Sequence, residues 1–257
     1  MAITVSALSR RLALSIASLA LIGCATIPLN RRAAEFNSRG AAQLAAGDLE
    51  AAEASLQLAL EYNDRYAEPY NNLGLVAMTR GRLREARLFF RRAVGLNPDF
   101  GEAWSNLGLA LVRAAGEGDR GDIDGAIDAF RAALSVNPEL IAPRINLCRT
   151  LLAARRTREA LEQARRSVQM APSSAAAHAL RAEAALSLGI DDEARTAAGE
   201  AERLTPFAPD VLLTSARVLA SGGRYDDALS RIARIENDPV RGEDARALRT
   251  LIARERR

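Results

Sequence analysis

The sequence predicts an all-α protein built from a repeated unit, and three observations carry that reading. The chain is 49% hydrophobic but only 4% aromatic. Its bias towards Ala, Leu and Arg, with few β-branched residues, favours helix over strand. One alanine recurs at Ala52, Ala86, Ala126, Ala160, Ala194 and Ala228, at intervals of 34 except for a single 40. A fixed period of this length marks a repeat architecture. Pro98, Pro138, Pro172 and Pro206 recur in the same register and supply helix-breaking punctuation. Pro239 falls one place early and Asp64 replaces the first of the series.

The N-terminal element reads as an export signal. Arg10 and Arg11 form a basic start, and residues 12–22 form an apolar run. That run is about half of the roughly 20 apolar residues a membrane-spanning helix needs, so a signal peptide over 1–23 fits better than a span. Its end, Leu21-Ile22-Gly23-Cys24, resembles the bacterial lipoprotein lipobox. The resemblance implies cleavage before Cys24, lipidation of its thiol, and a lipidated tether over 24–32. Ala25, where an Asp would imply retention in the inner membrane, implies the outer membrane and a periplasm-facing chain. Acyl chains anchor through roughly 0.8 kcal/mol per buried methylene.

Composition excludes several function classes. Removal of 1–23 leaves 33 of the 35 basic residues against 32 acidic ones, so the basic balance does not point to nucleic acid. Every basic residue is Arg, which excludes a lysine Schiff base and a P-loop. Two Cys and one His exclude a disulfide scaffold, a zinc ribbon and a multi-His metal site. No Gly-rich phosphate loop, metal set or nucleophile with its base is present. The expectation is a non-enzymatic protein without cofactors.

The repeat spans 33–242 in six units: 33–66, 67–100, 101–140, 141–174, 175–208 and 209–242. A small residue precedes the marker Ala in each: Gly40, Gly74, Gly108, Cys148, Ala182 and Ala216. In the second unit Tyr70, Leu73, Gly74, Ala77, Gly81, Ala86, Phe90, Ala93 and Pro98 follow the tetratricopeptide pattern. So do Trp104, Leu107, Gly108, Leu111, Ala126, Phe130, Ala133 and Pro138 in the third. These residues resemble the tetratricopeptide repeat (TPR) family. The other units are degenerate: Arg39, Arg181 and Ser215 replace Leu, and Arg144 and His178 replace an aromatic.

The resemblance implies a right-handed TPR solenoid of about six antiparallel helix pairs. Gly81 takes the positive φ that ends a first helix, and Pro98 stops a second. Small residues at Gly74 and Ala86 let the two helices approach, and stacking buries what one pair cannot. The last segment, 243–257, carries an apolar stripe of Ala245, Leu248, Leu251 and Ile252 and reads as a capping helix.

Several residues invite chemistry, and packing explains them. Cys148 takes a small-residue position. His178 takes a large-residue position and packs half-buried. The third unit carries a six-residue insertion at 115–120 that reads as an enlarged turn. Its Glu117 and Asp119, with Asp122 and Asp124 just after it, lack EF-hand spacing. Arg80, Arg82, Arg84, Arg87, Arg91 and Arg92 read as a solvated face, with anionic lipid headgroups as the alternative partner.

In the TPR family the first helices line a concave groove. Carried over, the partner-binding positions are Asn71, Glu102, Ser105, Arg113, Arg149, Glu183 and Arg217. Asn72, Asn106 and Asn146 are placed to pair with peptide backbone. Chaperone-binding members clamp a peptide carboxylate with Lys, and this chain has none. The implied role is a lipid-anchored scaffold that holds a protein or peptide partner in the cell envelope. An alternative is a pilotin-like lipoprotein serving type IV or Flp/Tad pilus secretins.

Overall fold

A computed structural model describes residues 30–116 and 122–256 of the chain. The signal, the lipobox with Cys24, and Glu117 and Asp119 of the insertion lie outside the described residues. Thirteen helices and no strand occur among the described residues. They are α1 (Arg31–Ala45), α2 (Leu49–Tyr62), α3 (Ala67–Thr79), α4 (Leu83–Leu96), α5 (Gly101–Gly116), α6 (Ile123–Val136), α7 (Ile141–Ala153), α8 (Thr157–Met170), α9 (Ala175–Ser187), α10 (Asp191–Leu204), α11 (Pro209–Ser221), α12 (Tyr225–Ala233) and α13 (Gly242–Glu255). Consecutive helices pair, and α13 packs on α11 and α12. None of the described helices is long and apolar enough to cross a membrane.

Local chemistry sets the helix ends. Asp48, Asp122 and Ser174 cap α2, α6 and α9 by accepting from backbone N–H groups at 3.1, 2.7 and 3.3 Å, which satisfies orphan donors of the first turn. Gly47, Gly81, Gly189 and Gly223 have φ of 81°, 73°, 71° and 73° in the turns inside four of the pairs. Glycine takes that conformation without a Cβ penalty. Arg155 occupies the same place in the fourth pair at φ 58°.

Two boundaries differ from the sequence reading. Arg31 and Arg32, assigned to the tether, form the first turn of α1, because the Asn30 side chain accepts from Arg32 N at 2.9 Å and starts the helix there. Ala115 and Gly116, assigned to the enlarged turn, are helical and lengthen α5 to 16 residues.

Each pair closes on a small residue opposite a complementary one. A Cβ added at Gly40, Gly74 or Gly108 would lie 2.6 Å from Leu56, 2.5 Å from Phe90 or 2.7 Å from Phe130. Phe90 and Phe130 are fully buried. Where Cys148 and Ala182 replace glycine, the corresponding second-helix residues shrink to Ala164 and Ala198, all buried in the same core cluster. The Cys148 thiol also donates to Ala160 O at 3.2 Å. Its pKa is pushed up to about 12, first by burial and then by the charge of Glu183. It is a packing residue.

The large-residue position carries a second recurring contact. Tyr70 Oη donates to Asp64 O at 3.1 Å, and Trp104 Nε1 donates to Pro98 O at 2.8 Å. Arg144 donates to Pro138 O, and His178 Nε2 lies 2.9 Å from Pro172 O. Each side chain thus satisfies the carbonyl six residues earlier, in the joint between units. Arg144 and His178 replace an aromatic because they keep the donor as well as the bulk. His178 is buried rather than half-buried, at 7% exposure, because that bond draws its ring into the joint. Leu212 has no donor, and Pro206 O accepts from Arg234 instead, at 2.6 Å.

Each first helix touches the first helix of the next pair. Among the described residues the backbones of successive second helices stand farther apart, bridged by side chains alone. The stack therefore curves with α1, α3, α5, α7, α9 and α11 on its inner face. Long ion pairs span the splayed outer helices: Arg80 and Arg82 to Glu53, Arg131 to Glu159 at 2.6 Å, Arg165 to Glu193 at 2.9 Å, and Arg231 to Glu202 at 3.2 Å.

Candidate functional site: the inner face of the helix stack

The inner face divides into two chemically different halves. On the N-terminal half, side-chain amides link one unit to the next. Asn72 Nδ2 donates to Asn37 Oδ1, and Asn106 Nδ2 donates to Asn71 Oδ1, both at 2.9 Å. Asn71 is 5% exposed. The sequence reading gave Asn71, Asn72 and Asn106 to a partner. Their amides also tie adjacent units, because the sixth position of one unit faces the fifth position of the unit before it. Glu102 and Arg113 are exposed, and Ser105 and Asn146 are half-buried.

The C-terminal half opens into a cleft of about 310 Å³ across α7, α9 and α11. It gathers Arg149, Glu183 and Arg217, three residues singled out from the sequence, at equivalent places on three successive first helices. Arg217 reaches Glu183 at 3.4 Å. Asp210 and Arg241 close one side and pair with each other. The Arg241 pKa is raised, first by its hydrogen bond to Asp210 and against the opposing effect of burial. The floor is apolar: Ala175, Ala176, Ala179, Leu180, Val211 and Leu213.

Sequence reasoning missed this floor. The available signal was the run Ala175-Ala176-Ala177 with Ala179 at the start of α9, where α5 carries Glu102 and Ser105 at the matching groove positions. Truncation to Ala removes the side chains that would fill the space.

The arrangement suits recognition of another chain's side chains. No group of three or more His, Cys, Asp or Glu placed to hold a metal ion occurs among the described residues. Just after the insertion, Asp122 is used as the α6 cap, and Asp124 lies 3.8 Å from Arg156. In the arginine-rich second unit, Arg80 and Arg82 are held by Glu53, Arg82 also by Glu85 at 2.9 Å, and Arg92 sits 5.7 Å over the Tyr70 ring.

Comparison with known proteins agrees with this architecture. Two family models, each described as tetratricopeptide repeat, match the chain: one at 119–184, the other at 37–99 and 73–139. Together they cover more than half of the chain. A comparison with curated protein sequences gives no match. Among solved structures, PilF of Pseudomonas aeruginosa aligns at 18% identity and TM-score 0.67, covering 80% of this chain and 90% of that one. PilW, described as a widely conserved type IV pilus biogenesis factor, aligns at 16% identity and TM-score 0.67, covering 81% and 94%. YrrB, described as a TPR protein with an unusual peptide-binding site, aligns at 21% identity and TM-score 0.58, covering 72% and 93%. At these identities the likeness is one of fold.

Proposed function

The chain belongs to the tetratricopeptide repeat family, and from that premise we propose that it is a non-enzymatic scaffold anchored by lipid in the bacterial envelope. Its inner face holds a peptide or partner subunit and so assembles or stabilises an envelope complex. The observation that carries this reading is the cleft across α7, α9 and α11, where Arg149, Glu183 and Arg217 converge over an apolar floor. Leu21-Ile22-Gly23-Cys24 and Ala25 support a lipid anchor on Cys24 at the outer membrane, with the solenoid in the periplasm. Proteins of this repeat family mediate protein–protein contact, and the side chains on the inner face offer charge and apolar surface without a nucleophile–base pair.

Crosslinking and pull-down from native membranes tests this reading, with a Cys24→Ala chain as control. The scaffold reading expects a defined envelope protein recovered with the full chain and reduced with the control, together with an acyl mass on Cys24. Recovery of nothing above the control overturns it. A pilotin-like role is the second reading, favoured by the fold likeness to PilF and PilW over four-fifths of the chain. It expects a pilus secretin or pilus subunit among the recovered proteins.

A further inference from the structure

We propose that the cleft across α7, α9 and α11 takes one bulky apolar side chain of an extended partner segment, with an acidic residue of that segment on Arg149. The proposal rests on the groove reading above and names the partner's chemistry.

The space is built by truncation. Ala176 and Ala179 present only methyl groups to the inner face, between Leu180, Val211 and Leu213. At about 310 Å³ the cleft lies at the small end of the pocket range, and such clefts bury mainly apolar groups. Two exposed apolar residues neighbour its lining along the chain. Phe207 is 80% exposed and stands between Thr205 and Ala208, both of which line the cleft. The Arg234 guanidinium lies 5.2 Å from the centroid of the Phe207 ring and also donates to Pro206 O. Val240, 74% exposed, precedes the cleft-lining Arg241. Large apolar side chains left exposed are of the kind that mark an interaction site.

Charge selects the neighbour of the anchor. Glu183 is matched by Arg217, and Asp210 by Arg241. Arg149 is exposed and has no ion-pair or hydrogen-bond partner among the described residues. The cleft therefore keeps one unmatched cation, on α7. A carboxylate docked there makes a charge-assisted bond, and a basic segment meets three guanidinium groups. A polyphosphate needs several free cations, and this site has one.

The test is selection of a random dodecapeptide display library on the full chain in detergent, followed by affinity measurement of the recovered peptides. The expected pool is enriched in Phe, Trp, Tyr or Leu beside Asp or Glu. Ala176→Trp fills the cleft from an exposed position and weakens those peptides about tenfold, the scale of a lost anchor. Arg149→Glu weakens them about fivefold and more at low salt. Arg91→Ser, on the exposed surface of α4 away from the cleft, leaves affinity unchanged, and all three variants keep the parental far-UV circular dichroism melt. A pool without apolar–acidic pairs, or one that binds Ala176→Trp as well as the parent, overturns the proposal. Peptides lost with Glu102→Arg but kept with Ala176→Trp overturn the cleft while leaving the groove reading standing. Recovery of no binding peptide overturns both.

Discussion

Arg155 offers a direct measure of backbone strain in the solenoid. It is at φ 58°, whereas the equivalent residues of four other pairs are glycines near 71° to 81°. The hydrogen bonds of the turn are the same. Arg155 N donates to Leu152 O at 3.0 Å and Arg156 N to Leu151 O at 2.8 Å, as Gly189 N does to Leu186 O at 3.0 Å and Ile190 N to Ala185 O at 2.9 Å. Arg155→Gly therefore changes the residue without changing the turn. A non-glycine residue in this region costs roughly 1–2 kcal/mol. The greater freedom of glycine in the unfolded chain returns about 0.5–1 kcal/mol of that. The exposed Arg155 side chain contributes little, so the expected net gain is about 0.5–1 kcal/mol. For a chain of this size that raises the melting midpoint by about 1–4 °C. The reverse change, Gly189→Ala, is expected to cost about 1 kcal/mol. Nothing lies within 4 Å of the added Cβ, so the backbone alone supplies that cost. Thermal and guanidinium unfolding followed by circular dichroism reads both variants. A lower midpoint for Arg155→Gly, or an unchanged one for Gly189→Ala, refutes the reasoning.

Three further perturbations test other parts of the account. Gly108→Val drives side-chain atoms into the buried Phe130 ring, 2.7 Å from an added Cβ, and is expected to cost about 1–3 kcal/mol; Phe130→Leu in the same chain should recover part of that loss, and strict additivity would contradict the contact. Glu193 has its pKa held down to about 2, first by its hydrogen bond to Arg165 and next, against burial, by that to Arg181. Its pairing therefore stabilises the fold above the ordinary carboxylate range and is lost as pH falls towards 2. Glu193→Gln should cost about 1 kcal/mol at neutral pH, with a gap from the parent that closes on acidification; a gap independent of pH would count against the pairing. The Cys148 thiol, raised to about 12 by burial, should resist a thiol-reactive disulfide reagent at pH 8 until the chain is unfolded; rapid native labelling would contradict its burial.

The periodic residues made the helix pairs legible in the sequence. Units read from the marker Ala begin at 67, 101, 141, 175 and 209, the residues where α3, α5, α7, α9 and α11 start. That register is local information, repeated in most units by turn glycines and helix-ending prolines. Pairwise compensation was less visible. Cys148 and Ala182 depart from glycine, and the matching reduction to Ala164 and Ala198 lies on another helix. His178 and Arg144 looked like losses of an aromatic, because the conserved quantity at that place is a donor to a carbonyl. The inner face was the least legible. Asn71 and Asn106 carry the polarity expected of binding residues, but they face each other across two units. That depends on how closely successive first helices approach, which no single unit encodes. The alanine floor escaped notice because a site built by removing side chains leaves no chemically distinctive residue.

The central claim is that the inner face, near α9, holds the partner. Site-resolved photocrosslinking in living cells tests it most directly, with a photoreactive residue placed in turn at Ala176 in the cleft and at Arg91 on the exposed surface of α4. The account predicts a discrete protein adduct from position 176, reduced by Arg149→Glu, and none from position 91. Equal adducts at both positions, or an adduct from position 91 alone, would contradict it.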